Sequence, residues 1–141
     1  MDVEASFRLN LKIYGTVLLG ASLAHAIWHW FFPSYSELDG LTETQWNLLY
    51  MLNWGVALFL LLLSLISFGL SFAKSCSVFQ MRIFSGLMIG FWICRLTLEV
   101  LFPVQIPFLI IQNPSLLIII LLVVVITILA IPELHFQLRR S

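Results

Sequence analysis

Hydrophobic residues fall along this chain in four long runs, about 13–32, 47–73, 83–102 and 115–132, separated by short stretches that are polar or carry proline. Each run approaches the ~20 residues an α-helix needs to cross roughly 30 Å of hydrocarbon. The pattern predicts an all-α membrane protein, a four-transmembrane-helix up-and-down bundle with short connections. No repeat or low-complexity linker interrupts it, so residues 1–141 read as a single transmembrane domain.

Local signals place the helix ends. Thr42-Glu43-Thr44-Gln45 fits a capping box with Thr42 as N-cap, which starts the second helix near 43 and carries it to about 73. Asn113-Pro114 fits an N-cap followed by proline at the first helical position, so the fourth helix opens near 115. Pro132 is expected to end it. The third connection, 103–114, is too apolar for a solvated loop, and Pro103, Pro107 and Pro114 forbid a continuous helix. It reads as an interfacial or re-entrant segment lying over the outer end of the bundle as a lid. Ala24-His25-Ala26 imitates a signal-peptide cleavage site, but the apolar run continues to Phe32 and reaches span length. A retained helix is expected there.

Composition agrees. The chain is 61% hydrophobic and 10% charged, where a soluble domain carries about 25% charged residues. Mean hydropathy is +1.04. The formal net charge is zero and no basic cluster is longer than Arg139–Arg140, so no nucleic-acid partner is expected. Cys76 lies in a polar connection and Cys94 deep in a predicted span, an arrangement that argues against thiol–disulfide chemistry.

Charge then orients the helices. Arg8, Lys12, Lys74, Arg82, Arg139 and Arg140 flank the membrane at the N-terminus, the second connection and the C-terminus. The first connection, 33–46, holds only the acids Glu37, Asp39 and Glu43, and the third holds no charge. The positive-inside rule places both termini and the 74–82 loop in the cytoplasm, N-in and C-in. The expected location is an integral position in a bacterial inner membrane. The aromatic residues Trp28, Trp30, Phe31, Phe32, Tyr35, Trp46 and Tyr50 form an outer interfacial belt, and Trp54 and Trp92 are expected deeper in the core.

Against this apolar background a few residues stand out. Arg95 and Glu99 form an (i, i+4) pair inside the third run, where each unpaired charge costs roughly 2.5–3.5 kcal/mol on insertion scales. Gly86 and Gly90, with Cys94, lie on nearly the opposite side of that helix and form a helix-packing face. The first helix repeats the plan, with Gly20 and Ala24 on a packing face and His25 and His29 away from it. On a ~1.5 Å rise, His25, Asn53 and Arg95 share a layer roughly 10 Å below the outer boundary, with His29, Glu99 and Tyr50 shallower. The candidate ligand site is therefore His25, His29, Asn53, Arg95, Glu99 and Tyr50. The fourth helix has no glycine, no charge and no expected site residue, and is taken as the most lipid-exposed.

Three functions compete for this cluster. The first is a small non-enzymatic accessory or assembly protein, a homo-oligomer or a subunit of a membrane complex. Its cluster is then structural, or binds a lipid or quinone head group through Arg95 and a histidine. The second is a metal-binding or redox protein using His25, His29 and Glu99, since two histidines at (i, i+4) can grip a metal. Ala26, Ile27 and Trp28 between them leave out the glutamate of a metalloprotease. Bis-histidine haem within one chain is excluded by topology, because His135 lies beyond Pro132 on the cytoplasmic side. The third is an oligomeric channel or transporter subunit, disfavoured because the inner half offers little beyond Ser64, Ser67, Ser71 and Thr127 as a polar path.

Overall fold

Two capping signatures of the form Ser/Thr-x-x-Gln punctuate the chain, and each opens a helix. In the computed structural model, which describes residues 2–31, 42–103 and 114–138 (backbone only for 28–31 and 114), the chain forms four α-helices. They are α1 (Val3–Phe31), α2 (Glu43–Phe72), α3 (Val78–Leu101) and α4 (Pro114–Leu138). No strand occurs among the described residues. The proposed lid at 104–113 with its N-cap Asn113, the acids Glu37 and Asp39, the belt residues Phe32 and Tyr35, and the pair Arg139–Arg140 lie outside them.

The capping box expected at α2 is present. The Gln45 amide donates to Thr42 Oγ1 at 3.3 Å, and the Thr42 amide donates to Gln45 Oε1 at 2.9 Å. The same reciprocal pair joins Ser77 and Gln80 at the start of α3, which therefore begins at Val78, ahead of the apolar run at 83. The start of α1 also outruns the hydrophobic pattern. Asp2 lies just before the first turn of α1 and its carbonyl accepts from the Ser6 amide, while Arg8 Nε donates to Glu4 one turn earlier at 2.8 Å. These signals start α1 at Val3, well before residue 13.

Pro132 does not end α4, which runs on to Leu138. A proline at 132 has no N–H for the carbonyl of Ile128, one turn back. Asn10 Nδ2 donates to that carbonyl at 2.8 Å, so the orphaned acceptor is satisfied from α1 and the helix continues through a buried proline.

By length and composition three helices are apolar enough to cross a membrane: α2, α3 and Ser115–Leu138 of α4. Only 33%, 17% and 28% of their respective apolar windows are buried within the chain, so most of that surface is left for lipid or another chain to cover. The fourth expected span, α1, falls outside this group. Glu4, Arg8 and Lys12 occupy its first third, and His25 and His29 dilute its apolar end.

The chain divides into two compact units. One comprises Met1–Tyr14 and Ser67–Ser141, the other Gly15–Ile66. In the first unit α3 packs on α4, and the opening turns of α1 touch every other helix represented there. Phe7 and Leu11 join Cys76 and Met81 in a buried cluster. Arg8 Nη1 donates to the carbonyls of Ser71 at 3.0 Å and Ala73 at 2.9 Å, and its Nη2 to that of Cys76 at 3.2 Å. A cation thereby serves carbonyls at and just past the C-terminal end of α2, where the helix dipole also favours it. Lys12 lies 4.6 Å from the centroid of the Phe72 ring. Tyr14 is fully buried and its hydroxyl accepts from Trp92 Nε1 on α3 at 2.8 Å. Trp92 is thus core as expected, whereas Trp54 is 37% exposed and is not.

In the second unit α1 and α2 run antiparallel and are stitched by serines. Ser64 Oγ donates to the Gly15 carbonyl at 2.7 Å and Ser22 Oγ to the Ala57 carbonyl at 2.8 Å. Seven residues forward on α1 are matched by seven back on α2, so the two bonds hold one register.

The Asn10–Pro132 arrangement makes a coupling prediction. Asn10→Ala should destabilise the protein in detergent by on the order of 1 kcal/mol, because the Ile128 carbonyl is left unpaired. In a Pro132→Ala background the loss should shrink, since residue 132 then supplies its own N–H. Equal losses in both backgrounds would show that Asn10 does not serve that carbonyl.

Candidate functional site

A carboxylate with no solvent exposure must find its donors inside the protein. Glu99, on the last turns of α3, is 0% exposed. Its Oε2 accepts from Arg95 Nη2 at 2.7 Å, one turn earlier on the same helix, so the pair expected from spacing is formed. Its Oε1 accepts from Ser115 Oγ at 2.6 Å. Ser115 stands in the first turn of α4 and is itself buried. This corrects the expectation that α4 contributes no site residue. The serine was visible beside Asn113-Pro114, but its position there also suits a helix start, and only the packing of α3 on α4 turns it toward Glu99.

The two partners of the ion pair differ in solvation. Glu99 is sealed, while the Arg95 side chain is 37% exposed, and among the described residues its guanidinium has only Glu99 as a partner. Glu99 thus anchors and neutralises a cation that it engages through Nη2.

His25 and Asn53 meet in the other unit, through two contacts. Asn53 Nδ2 donates to the His25 backbone carbonyl at 2.6 Å, which turns the amide oxygen toward the ring. That oxygen lies 2.6 Å from His25 Nδ1. Because a carbonyl oxygen only accepts, Nδ1 carries the proton, and neutral His25 holds its lone pair on Nε2. The side chain of His29 lies outside the described residues. Tyr50 is 39% exposed and sets its ring edge-on to Trp54, with centroids 6.5 Å apart. The structure therefore brings together His25 with Asn53 and Arg95 with Glu99, each pair within its own unit. No group of three or more metal-ligating side chains occurs among the described residues.

The glycine faces are open. Gly20, Ala24, Gly86 and Gly90 are exposed, and a Cβ added at any of the three glycines would meet nothing within 4 Å. No described helix of this chain uses the packing face expected at these positions. Serines do the close packing instead, and they were read only as a sparse polar inventory.

The observations together define a class: a protein helical throughout its described residues, with three helices long and apolar enough to cross a membrane and a buried carboxylate that ties an arginine of α3 to α4. The chain matches no family model, no curated protein and no solved structure.

The difference in solvation sets the order of mutational effects. Arg95→Leu should lower the unfolding midpoint in detergent more than Glu99→Leu does, because it strands a charge that water cannot reach. The double Arg95→Leu, Glu99→Leu change should cost less than Arg95→Leu alone. A double variant weaker than both singles would mean that the two charges act independently.

Proposed function

We propose that this chain is a non-enzymatic integral membrane protein whose Arg95–Glu99–Ser115 centre holds the oxygen-bearing head group of a membrane component, a lipid phosphate or a quinone carbonyl. One observation carries this reading. Glu99 has both oxygens engaged and no exposure, while the arginine it steadies is 37% exposed. An arginine needed only for internal neutrality would be cheaper to omit together with its carboxylate. Held this way it keeps planar, oriented donors for an acceptor that approaches from outside the pair. The accessory role, with the protein acting as a homo-oligomer or as a subunit of a larger membrane complex, is part of the same reading.

In this reading all four helices cross the membrane as an up-and-down bundle, N-in and C-in, in a bacterial inner membrane. Support for α1 as a span comes from its serine-stitched register along α2, which is long and apolar enough to cross. Support for the orientation comes from the basic residues of the termini and the 74–82 connection. A second reading, a metal site using His25 and His29, is favoured by the Asn53 contact, since histidine ligands are commonly held by a hydrogen bond at the other ring nitrogen.

Orientation is tested with an impermeant thiol reagent. Cys76 is only 8% exposed, so the probe belongs at exposed Lys74, as Lys74→Cys in a Cys76→Ser, Cys94→Ser background. Labelling should require access to the cytoplasmic side, and labelling of intact cells from outside would reverse the topology. For the head group, protein extracted in mild detergent should retain a ligand that Arg95→Leu loses, while Glu99→Gln keeps the fold. Redox difference absorbance identifies a quinone, and mass spectrometry identifies a phospholipid. Identical ligand content in wild type and Arg95→Leu would overturn the proposal. Near-stoichiometric zinc or copper that disappears in a His25→Ala, His29→Ala variant would establish the second reading in its place.

A further inference from the structure

At the other end of α3 from Glu99 lies a cavity of about 400 Å³, within the first compact unit. Its lining comes from Phe79, Arg82, Ile83, Ser85, Gly86 and Ile89 of α3, with Glu133 of α4. Phe79, Ile83, Gly86 and Ile89 recur at helical spacing and form an apolar floor some 15 Å long, at ~1.5 Å per residue. Gly86 keeps that floor open, because a Cβ there would meet nothing within 4 Å. Ser85 is 3% exposed. At the mouth Arg82 and Glu133 form a two-pronged ion pair, Nε to Oε2 at 2.8 Å and Nη2 to Oε1. The Arg82 guanidinium also rests on the Phe136 ring, 4.1 Å from its centroid. Arg82 Nη1 is engaged by neither carboxylate oxygen.

We infer that this groove binds one phospholipid with a zwitterionic, primary-ammonium head group. An acyl chain lies along the Phe79–Ile83–Gly86–Ile89 floor, the phosphate takes the Arg82 Nη1 donors, and the ammonium faces Glu133. The choice of occupant rests on charge complementarity. The mouth offers a positive and a negative group side by side, and a phosphate–ammonium head offers the same two charges, with N–H donors for the carboxylate only where the ammonium is primary. A purely anionic head group would also face Glu133, at a repulsive cost. The volume falls in the range of small-ligand sites, about 300–1,000 Å³. A helix of a second copy, roughly 10–12 Å across, would cover such a groove without filling it. The inference is independent of the Arg95 reading and of the leaflet in which the groove lies.

The test is lipid retention by native mass spectrometry of the whole chain in mild detergent. Phosphatidylethanolamine, phosphatidylcholine and phosphatidylglycerol are offered at equal concentration. The wild type should retain one phosphatidylethanolamine, with about tenfold preference over the other two. Gly86→Leu, which fills the floor without a clash, should lose the lipid at an unchanged unfolding midpoint. Glu133→Gln should shift the preference to phosphatidylglycerol, a gain that misfolding cannot imitate. Equal retention of all three lipids, or a Gly86→Leu variant that binds as wild type does, would mean an unspecific lipid annulus and overturn the inference. So would disulfide-linked dimers of Gly86→Cys that exclude lipid, since a second copy would then occupy the groove.

Discussion

Hydrocarbon offers no hydrogen bonds, so every polar group that this chain carries into an apolar layer must be answered by the chain itself. Much of the architecture is a set of such answers. The carbonyl orphaned by Pro132 is met by Asn10, and carbonyls at and just past the end of α2 are met by Arg8. Trp92 finds its acceptor in Tyr14. All three answers come from the opening turns of α1, the part of the chain whose polarity interrupts the apolar pattern. Those turns act as a clasp in their unit, reaching α2, α3 and α4 through one face that also carries Phe7 and Leu11. The polarity that keeps α1 out of the plainly apolar helices is what lets it hold the others.

The same constraint explains the choice of serine for close packing. Ser22 and Ser64 are small enough for two backbones to approach, and each donates to a carbonyl that still has a lone pair after its own helical bond. Each such bond is worth only about 0.6 kcal/mol in membrane proteins. What two of them at matched spacing supply is register, since sliding one helix past the other breaks both at once. The exposed glycines do no comparable work within the chain. They face open space, and Gly86 lines the groove beside Glu133.

The two ion pairs of α3 illustrate two ways of keeping a charge in an apolar setting. Arg82 and Glu133 are both partly exposed, with side chains 32% and 29% accessible, and the arginine spreads its charge over the Phe136 ring. Glu99 is sealed and relies on two donors, one ionic and one neutral. Breaking a sealed pair leaves an uncompensated charge, whereas a pair at the surface yields to water with little loss. The sealed pair is therefore a fixed feature of the fold, and the open pair stands within reach of its surroundings.

Much of the architecture was legible in the residues alone. Run length and composition predict helices long and apolar enough to cross a membrane, as α2, α3 and α4 are, because apolar stretches of about 20 residues satisfy their backbone in hydrocarbon only as helices. Spacing determines the Arg95–Glu99 pair and the capping box at Thr42, because both are local to one or two turns. Ser77-Val78-Phe79-Gln80 carried the same capping signal, hidden only because the apolar run starts later. The remaining features needed partners distant in sequence. The continuation of α4 through Pro132 depends on Asn10, 118 residues away along the chain. Ser115 joins the site because α4 packs on α3, and the proton on His25 is assigned by Asn53 across a helix pair. The glycine faces stay open for a related reason, since a small-residue stripe permits close approach but does not supply the helix that approaches. A sequence records what each helix offers, and only the tertiary structure decides which offers are taken up, because hydrogen bonding and close packing between helices depend on register and distance.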